Sequence, residues 1–183
     1  MDSLEVTTDV YRSPAHVFEF LLDFTGYARY SKYLRDVRRD GDGGPGTDYD
    51  LVFSWWKLKY TAHSRVTAVD YPHRIDWTLV TDLDASGSWR IEPIDPSKLE
   101  DRGHGNGSNE SQGSRVTFHV EYDPDSVDAG VVDVPLIVSI GWIVDRVKPL
   151  IRGEAERIVE RVVADLEGDR REVDLEIRTN RDT

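Results

Sequence analysis

The sequence predicts an α+β domain: a curved antiparallel sheet of about six to seven strands wrapped around a long C-terminal helix, with two short helices after the first strand. Three observations lead there. A strand-like start runs into the helix-initiating pair Ser13-Pro14. A series of aromatic-rich stretches with a period of two follows, up to Tyr122. A segment with helical periodicity comes last and stops at Gly168. A period of two puts one face in a core and one in water, as in antiparallel sheets, whereas spacings of three and four make one helix face apolar.

Leu4 to Arg12 alternates weakly and forms the first expected strand. Ser13 is a helix cap and Pro14 suits the first helical position. Val17, Phe18, Leu21 and Leu22 then line one face of a helix. Thr25-Gly26 breaks it, and Tyr27 to Tyr33 is expected as a second short helix. Leu34 to Asp40 is a strand, and Gly41-Asp42-Gly43-Gly44-Pro45-Gly46 is a turn, lacking the lysine and the strand–helix setting of a phosphate loop.

In the sheet, Tyr49, Leu51, Phe53 and Trp55 take one side of a strand. Leu58, Tyr60, Ala62, Ser64, Val66 and Ala68 take the same side of the next. Ile75, Trp77 and Leu79, then Trp89 and Ile91, then Val116, Phe118, Val120 and Tyr122 continue the pattern. Residues 96–113 are Gly-, Ser- and Asn-rich and read as a mobile loop inserted between paired strands. From about Asp133, the residues Ile137, Ile140, Val144, Val147, Ile151, Ala155, Ile158, Val162 and Leu166 keep a helical period. Pro149 lacks the amide donor and crowds the preceding turn, so a kink or break is expected near Lys148, with the continuous helix from about Pro149 to Glu167. The domain is thus residues 1–168. Residues 169–183 form a charged tail, in which Val173, Leu175 and Ile177 alternate and allow a short extra strand.

Composition bounds the chemistry. The 183 residues fit one domain. The net charge of −12 disfavours nucleic acid and anionic lipid as partners. There are 23 Asp against 12 Glu and 18 Arg against 5 Lys, a bias that keeps water and cations close to the surface. It resembles proteins of salt-loving archaea, whose molar internal salt shortens the Debye length to ~3 Å. Cysteine is absent, which removes disulfides, thiol nucleophiles and thiolate metal sites. The N-terminus lacks the regions of a signal peptide. The most apolar stretch, Val131 to Leu150, contains Asp133, Asp145, Arg146 and Lys148, and so falls short of the roughly 20 uninterrupted apolar residues of a membrane span. It is expected as a buried helix face in a soluble, cytoplasmic protein without stable membrane insertion, with Val131 to Trp142 packing over the cavity mouth.

The residues also carry a family likeness. Val10-Tyr11-Arg12-Ser13-Pro14-Ala15-His16-Val17-Phe18, Leu21-Leu22-Asp23-Phe24-Thr25-Gly26-Tyr27, Trp89-Arg90-Ile91-Glu92-Pro93, Ser114-Arg115-Val116-Thr117-Phe118 and the helix end Val163-Ala164-Asp165-Leu166-Glu167 together resemble the START-like, or helix-grip, superfamily. The similar branch is that of polyketide cyclase/dehydrase and coenzyme Q-binding proteins, and the likeness covers residues 3 to 167. It implies a cavity between sheet and helix that holds a hydrophobic molecule. Members include lipid carriers, quinone-binding proteins, hormone receptors, aromatic polyketide cyclases and partner-binding stress domains. They share no catalytic signature, so no residue is assigned as catalytic.

The expected ligand wall is Phe53, Trp55, Tyr60, Trp77, Leu79, Trp89 and Phe118 from the sheet, with Ile140, Val144 and Arg146 from the helix. Aromatics there supply flat apolar surface, and Tyr60, Trp77, Trp89 and Arg146 supply polar handles. The same aromatics could equally fill a core. No metal site or cofactor is expected: the five histidines show no ligand spacing, and His63 and His119 fall on the outer register. Asp70 and Asp76 near Arg74 are neighbours of a kind that chance produces among 35 acidic residues. The expected partner is an apolar small molecule such as a quinone, isoprenoid lipid or polyketide-like compound. A cyclase/dehydrase-type enzyme is the alternative. A protein partner is a third, with Trp56 and Trp142 as its first contact candidates.

Overall fold

A computed structural model describes residues 1–55, 58–80, 83–95, 112–126 and 140–180. It describes their side chains except those of Trp55, Leu58, Pro124 and residues 140–152. Strands β1 (Asp2–Val10), β2 (Leu34–Asp40), β3 (Asp48–Trp55), β4 (Leu58–Asp70), β5 (Arg74–Leu79), β6 (Ala85–Ile94), β7 (Gly113–Tyr122) and β8 (Glu176–Asn180) form one curved, eight-stranded antiparallel sheet. Their order is β2-β3-β4-β5-β6-β7-β1-β8. Helix α1 (Pro14–Leu22) and a 3-10 segment (Phe24–Arg29) follow β1, and helix α2 (Ile140–Glu167) precedes β8.

Local chemistry accounts for most boundaries. The Ser13 hydroxyl accepts the His16 amide, and Pro14 opens α1 where its missing donor costs nothing. Gly41 turns with φ 133° and Gly46 with φ 91°, in the left-handed region that glycine tolerates. The intervening loop is tied by Thr47 Oγ1, which accepts the Gly43 amide at 2.9 Å. Register is reinforced on the outer face between directly opposed residues, by ion pairs of Arg65 with Asp48 and Arg115 with Asp9 and by a hydrogen bond between His63 and Asp50.

Four expectations change. The second short helix lies earlier than Tyr27–Tyr33, as a 3-10 segment from Phe24 to Arg29, because the Tyr30 amide bonds back to the Tyr27 carbonyl and closes it. Alternation in β4 breaks at a bulge between Val66 and Ala68, so Val69 packs against the core while Ala68 is exposed. Helix α2 runs through Pro149 without the expected break, since proline's fixed φ is itself helical and only one backbone bond is forgone. The chain end is not wholly a tail: Val6 opposes Ile177, and β8 extends the sheet beside β1. The loop expected at residues 96–113 falls outside the described residues up to 111, and β7 begins at Gly113.

The core lies on the inner sheet face. Val10, Val66, Ile75, Ile91 and Val116 cluster there with Val17, Phe18 and Leu21 of α1 and with Val163 and Leu166 of α2. The buried stripe of α2 holds the expected Val162 and Leu166, joined by Val159 and Val163, while Ala155 and Ile158 are half-buried. Burying a branched aliphatic side chain contributes roughly 1.5–3 kcal/mol, so this cluster anchors the last turns of α2.

Candidate ligand-binding site

The strand registers place Phe53, Tyr60, Trp77, Leu79, Trp89 and Phe118 on one inner face. Phe53 opposes Tyr60, Ile75 opposes Trp89, and Trp89 opposes Phe118. All six are intermediate in burial, whereas their strand neighbours Val66, Ile75 and Ile91 are at most 1% exposed. The face is therefore closed at one end and partly open at the other. Trp55 opposes Leu58 and so shares this register, but its side chain lies outside the described residues. Ile140, Val144 and Arg146 belong to the first turns of α2, and their side chains are likewise outside. So is Trp142, and Trp56 lies outside altogether.

The rings form two groups. Phe53 and Tyr60 stack with centroids 6.5 Å apart and 20° between planes. Trp77 and Phe118 stack at 5.9 Å and 15°, and Phe118 meets Trp89 at 4.7 Å and 48°. Tyr27, from the 3-10 segment, sets its ring edge-on to Trp89 at 6.4 Å. Burial, followed by the charges of Tyr49 and Asp23, pushes the Tyr27 phenol well above its ordinary pKa, so it stays neutral while donating to the Leu21 carbonyl. Between these rings the described face offers apolar π surface and phenolic hydroxyls.

Two functional features escaped the sequence. Gly87 lies on the inner face opposite Trp77 and Val120, beneath the indole. The signal was a lone glycine inside a strand, which marks a close approach. The second is a polar clasp that fixes α2. Glu154, 5% exposed, accepts the Lys32 amide at 3.1 Å and lies 3.4 Å from the Lys32 ammonium. Burial raises its pKa, but the Lys32 amide and ammonium and then Arg157 outweigh this and hold it below the usual range. Farther along, Arg161 donates to the Tyr30 carbonyl and the Tyr30 hydroxyl donates to Asp165, each at 2.8 Å.

None of the described histidines lies on this face. His63 is exposed and pairs with Asp50, His119 lies on the outer register, and His16 and His73 are exposed. Asp76 is held by Arg74 at 2.8 Å. Among the described residues no group of three metal-ligating side chains occurs, and no helix is long and apolar enough to cross a membrane.

A curved antiparallel sheet facing a C-terminal helix, with a half-open aromatic face between its strands, defines a helix-grip domain. The chain belongs to the polyketide cyclase / dehydrase and lipid transport family, whose model matches residues 1–167. Family and fold are of a kind that binds hydrophobic ligands or acts in polyketide cyclisation. Among solved structures, the chain is similar to the Zhui aromatase/cyclase from Streptomyces sp. R1128, at TM-score 0.63 and 15% identity over 91% of this chain and 94% of that one. It is similar to Ara h 8.0201 at TM-score 0.55 and 15% identity, over 91% and 98%. A protein from Thermus thermophilus matches at TM-score 0.58 and 14% identity, over 91% and 97%. At these identities the likeness is one of fold. No curated protein matches the chain.

Proposed function

We propose that this protein binds a hydrophobic small molecule, of the quinone, isoprenoid or polyketide-like kind, against the inner sheet face between the aromatic rings and α2. The observation that carries this reading is the half-buried state of Trp77, Trp89 and Phe118 beside fully buried aliphatic neighbours in the same strands. Rings on a core-facing surface that stay partly accessible are available for a ligand to cover, at roughly 25 cal/mol per Å² of apolar surface before ordering costs. Coenzyme Q-like quinones are among the flat apolar compounds this proposal covers.

Turnover of the cyclase/dehydrase kind is the second reading, favoured by the family match. The inner face would then preorganise a reactive chain, and an acid or base would have to reach it. On the described part of the face the phenols of Tyr60 and Tyr27 are the titratable groups such a reading has to use.

The test is titration of the full chain with ubiquinone-1, followed by intrinsic fluorescence. Trp77→Ala and Trp89→Ala are each expected to weaken binding roughly tenfold, the loss of about one aromatic contact with its burial. Unchanged affinity in both would remove the cavity assignment. The Asp-rich, Lys-poor composition supports the further proposal that the protein works in a cytoplasm of molar salt. Equal stability with and without molar KCl would overturn that part alone.

A further inference from the structure

The position that shapes the floor of this face is one without a side chain. Gly87 has a φ outside the left-handed range, so the backbone does not demand glycine there. Space does. A Cβ on Gly87 would lie 2.3 Å from Trp77 Cζ2 and 2.7 Å from Trp77 Cε2, inside any real contact distance. It would also lie 2.5 Å from the His119 carbonyl oxygen of the neighbouring strand. The Trp77 indole therefore occupies the room a side chain would need, pressed onto the backbone of β6. Held there, its plane lies within 15° of the Phe118 ring, and both rings stay only partly buried.

We propose that Gly87 is a specificity-determining position: it seats Trp77 flat, and the Trp77–Phe118 platform so formed selects planar conjugated ligands over flexible chains. The proposal rests on the binding reading above and names the ligand class of that same site. The physical reason is a difference in what each ligand gives up. A rigid ring system lays its whole face on the open face of that stack and loses no internal rotamers. A saturated chain of similar area gains burial but must freeze several torsions, and it has no quadrupole to match the rings. A side chain at Gly87 would lift the indole off the strand, tilt it from Phe118 and fill the space above it.

The experiment uses the full chain with two probes, N-phenyl-1-naphthylamine as the flat one and dodecanoic acid as the flexible one. The expected wild-type result is tighter binding of the naphthylamine. Trp77→Leu should weaken the flat probe roughly three- to tenfold while leaving dodecanoic acid within about twofold. Gly87→Ala should do the same by displacing the ring, so the double variant should lose no more than Trp77→Leu alone. Losses that sum in the double variant, or a naphthylamine affinity unmoved by Gly87→Ala, overturn the proposal.

The thermal melts decide if Gly87→Ala does not fold. Recovery of folding in the double variant supports the ring seat, because removing the indole relieves the clash. Failure of both variants places the constraint at the His119 carbonyl, and the role assigned through Trp77 falls. Wild-type protein that binds neither probe overturns the binding reading itself. In that case ligand choice falls with it, and the melts of the two variants still decide whether Gly87 seats the ring.

Discussion

The inner face of the sheet has two halves built from the same strands and the same alternation. At the α1 end, Ile75, Ile91 and Val66 are sealed under Val17, Phe18 and the last turns of α2. Two residues further along the same strands, Trp77, Trp89 and Ser64 begin the opposite half, where the large rings remain half-accessible. The difference teaches that period-two patterning specifies which way a side chain points, while its depth is decided by what lies above it. Branched aliphatics that interdigitate closely fill the first half. Flat rings that stack on each other and on Gly87 line the second, leaving one face of the stack to be covered by something else. Stability should reside in the first half and ligand affinity in the second.

The sharpest way to break that division is to truncate one residue from each half. Ile91→Ala, in the sealed half, is expected to destabilise by about 2–5 kcal/mol, the transfer loss plus a cavity that rigid neighbours cannot fill. Trp89→Ala removes more atoms, yet part of its surface is already in contact with solvent, so its cost should be smaller while its effect on ligand affinity is larger. Denaturant unfolding of both variants, set beside their ubiquinone-1 titrations, measures this. A Trp89→Ala variant less stable than Ile91→Ala, with its binding intact, would dissolve the distinction and turn the aromatic half into ordinary core.

The next effect concerns how the sealed half is closed. Glu167 accepts the Tyr11 amide and both Nε and Nη2 of Arg171 at 2.8 Å, while Arg171 Nη2 donates to the Asp9 carbonyl at 2.7 Å and its guanidinium stacks 4.2 Å from the Tyr11 ring. Arg12 reaches the Leu166 and Glu167 carbonyls at the unsatisfied end of α2. Arg171→Ala should therefore cost about 2 kcal/mol, because the Glu167 side chain, only 9% exposed, loses its charged partner. Ligand affinity should hardly change. Chemical denaturation checks the first expectation and probe titration the second.

Much of this was legible in the sequence, for reasons that particular residues show. Ser13-Pro14 announced α1 because capping chemistry is local. Ile75, Trp77 and Leu79 announced their shared face because the strand period is fixed by geometry. What was not legible depended on partners distant in the chain. The bulge at Thr67 reverses the alternation only because β5 pairs across it, so Ala68 read as inward when Val69 is. The burial of Glu154 on α2 depends on Lys32, a partner 122 residues earlier. In the candidate site, the aromatics could be nominated by residue type. Gly87 left only the weak mark of a lone glycine in a strand, because an absent side chain carries no hydropathy signal and the ring that fills its place comes from another strand.

A smaller effect tests the clasp between α2 and the start of β2, the contact that holds the helix across from the open half. Glu154→Gln keeps the acceptor for the Lys32 amide but removes the charge facing Lys32 and Arg157. Since the folded carboxyl titrates below its unfolded value, its contribution is present above the unfolded pKa and lost as pH falls through the folded one. Glu154→Gln should therefore cost about 1 kcal/mol at neutral pH and nothing at strongly acidic pH, where the native carboxyl is neutral too. Unfolding curves at the two pH values give the comparison, and an equal cost at both would assign the effect to packing.

The smallest effect appears only in alkali, and it probes the far end of the same clasp. Tyr30, 4% exposed, donates its hydroxyl to Asp165 at 2.8 Å. Burial, then the bond to Asp165, pushes its pKa up to about 12. A group whose folded pKa is raised contributes stability that is complete below the unfolded value near 10 and is lost as pH climbs through the folded one. Tyr30→Phe should cost about 1 kcal/mol near neutrality, one hydrogen bond, and should flatten the fall in stability between pH 10 and 12. Ring packing against Phe20 of α1, at 5.8 Å, survives the change, so the Tyr30 ring keeps its seat while α2 loses this polar tether. If the tether at Tyr30 also governs how closely α2 approaches the aromatic half, Tyr30→Phe will speed release of N-phenyl-1-naphthylamine without altering its contacts. Stopped-flow release rates that match those of the wild type would confine the clasp to stability.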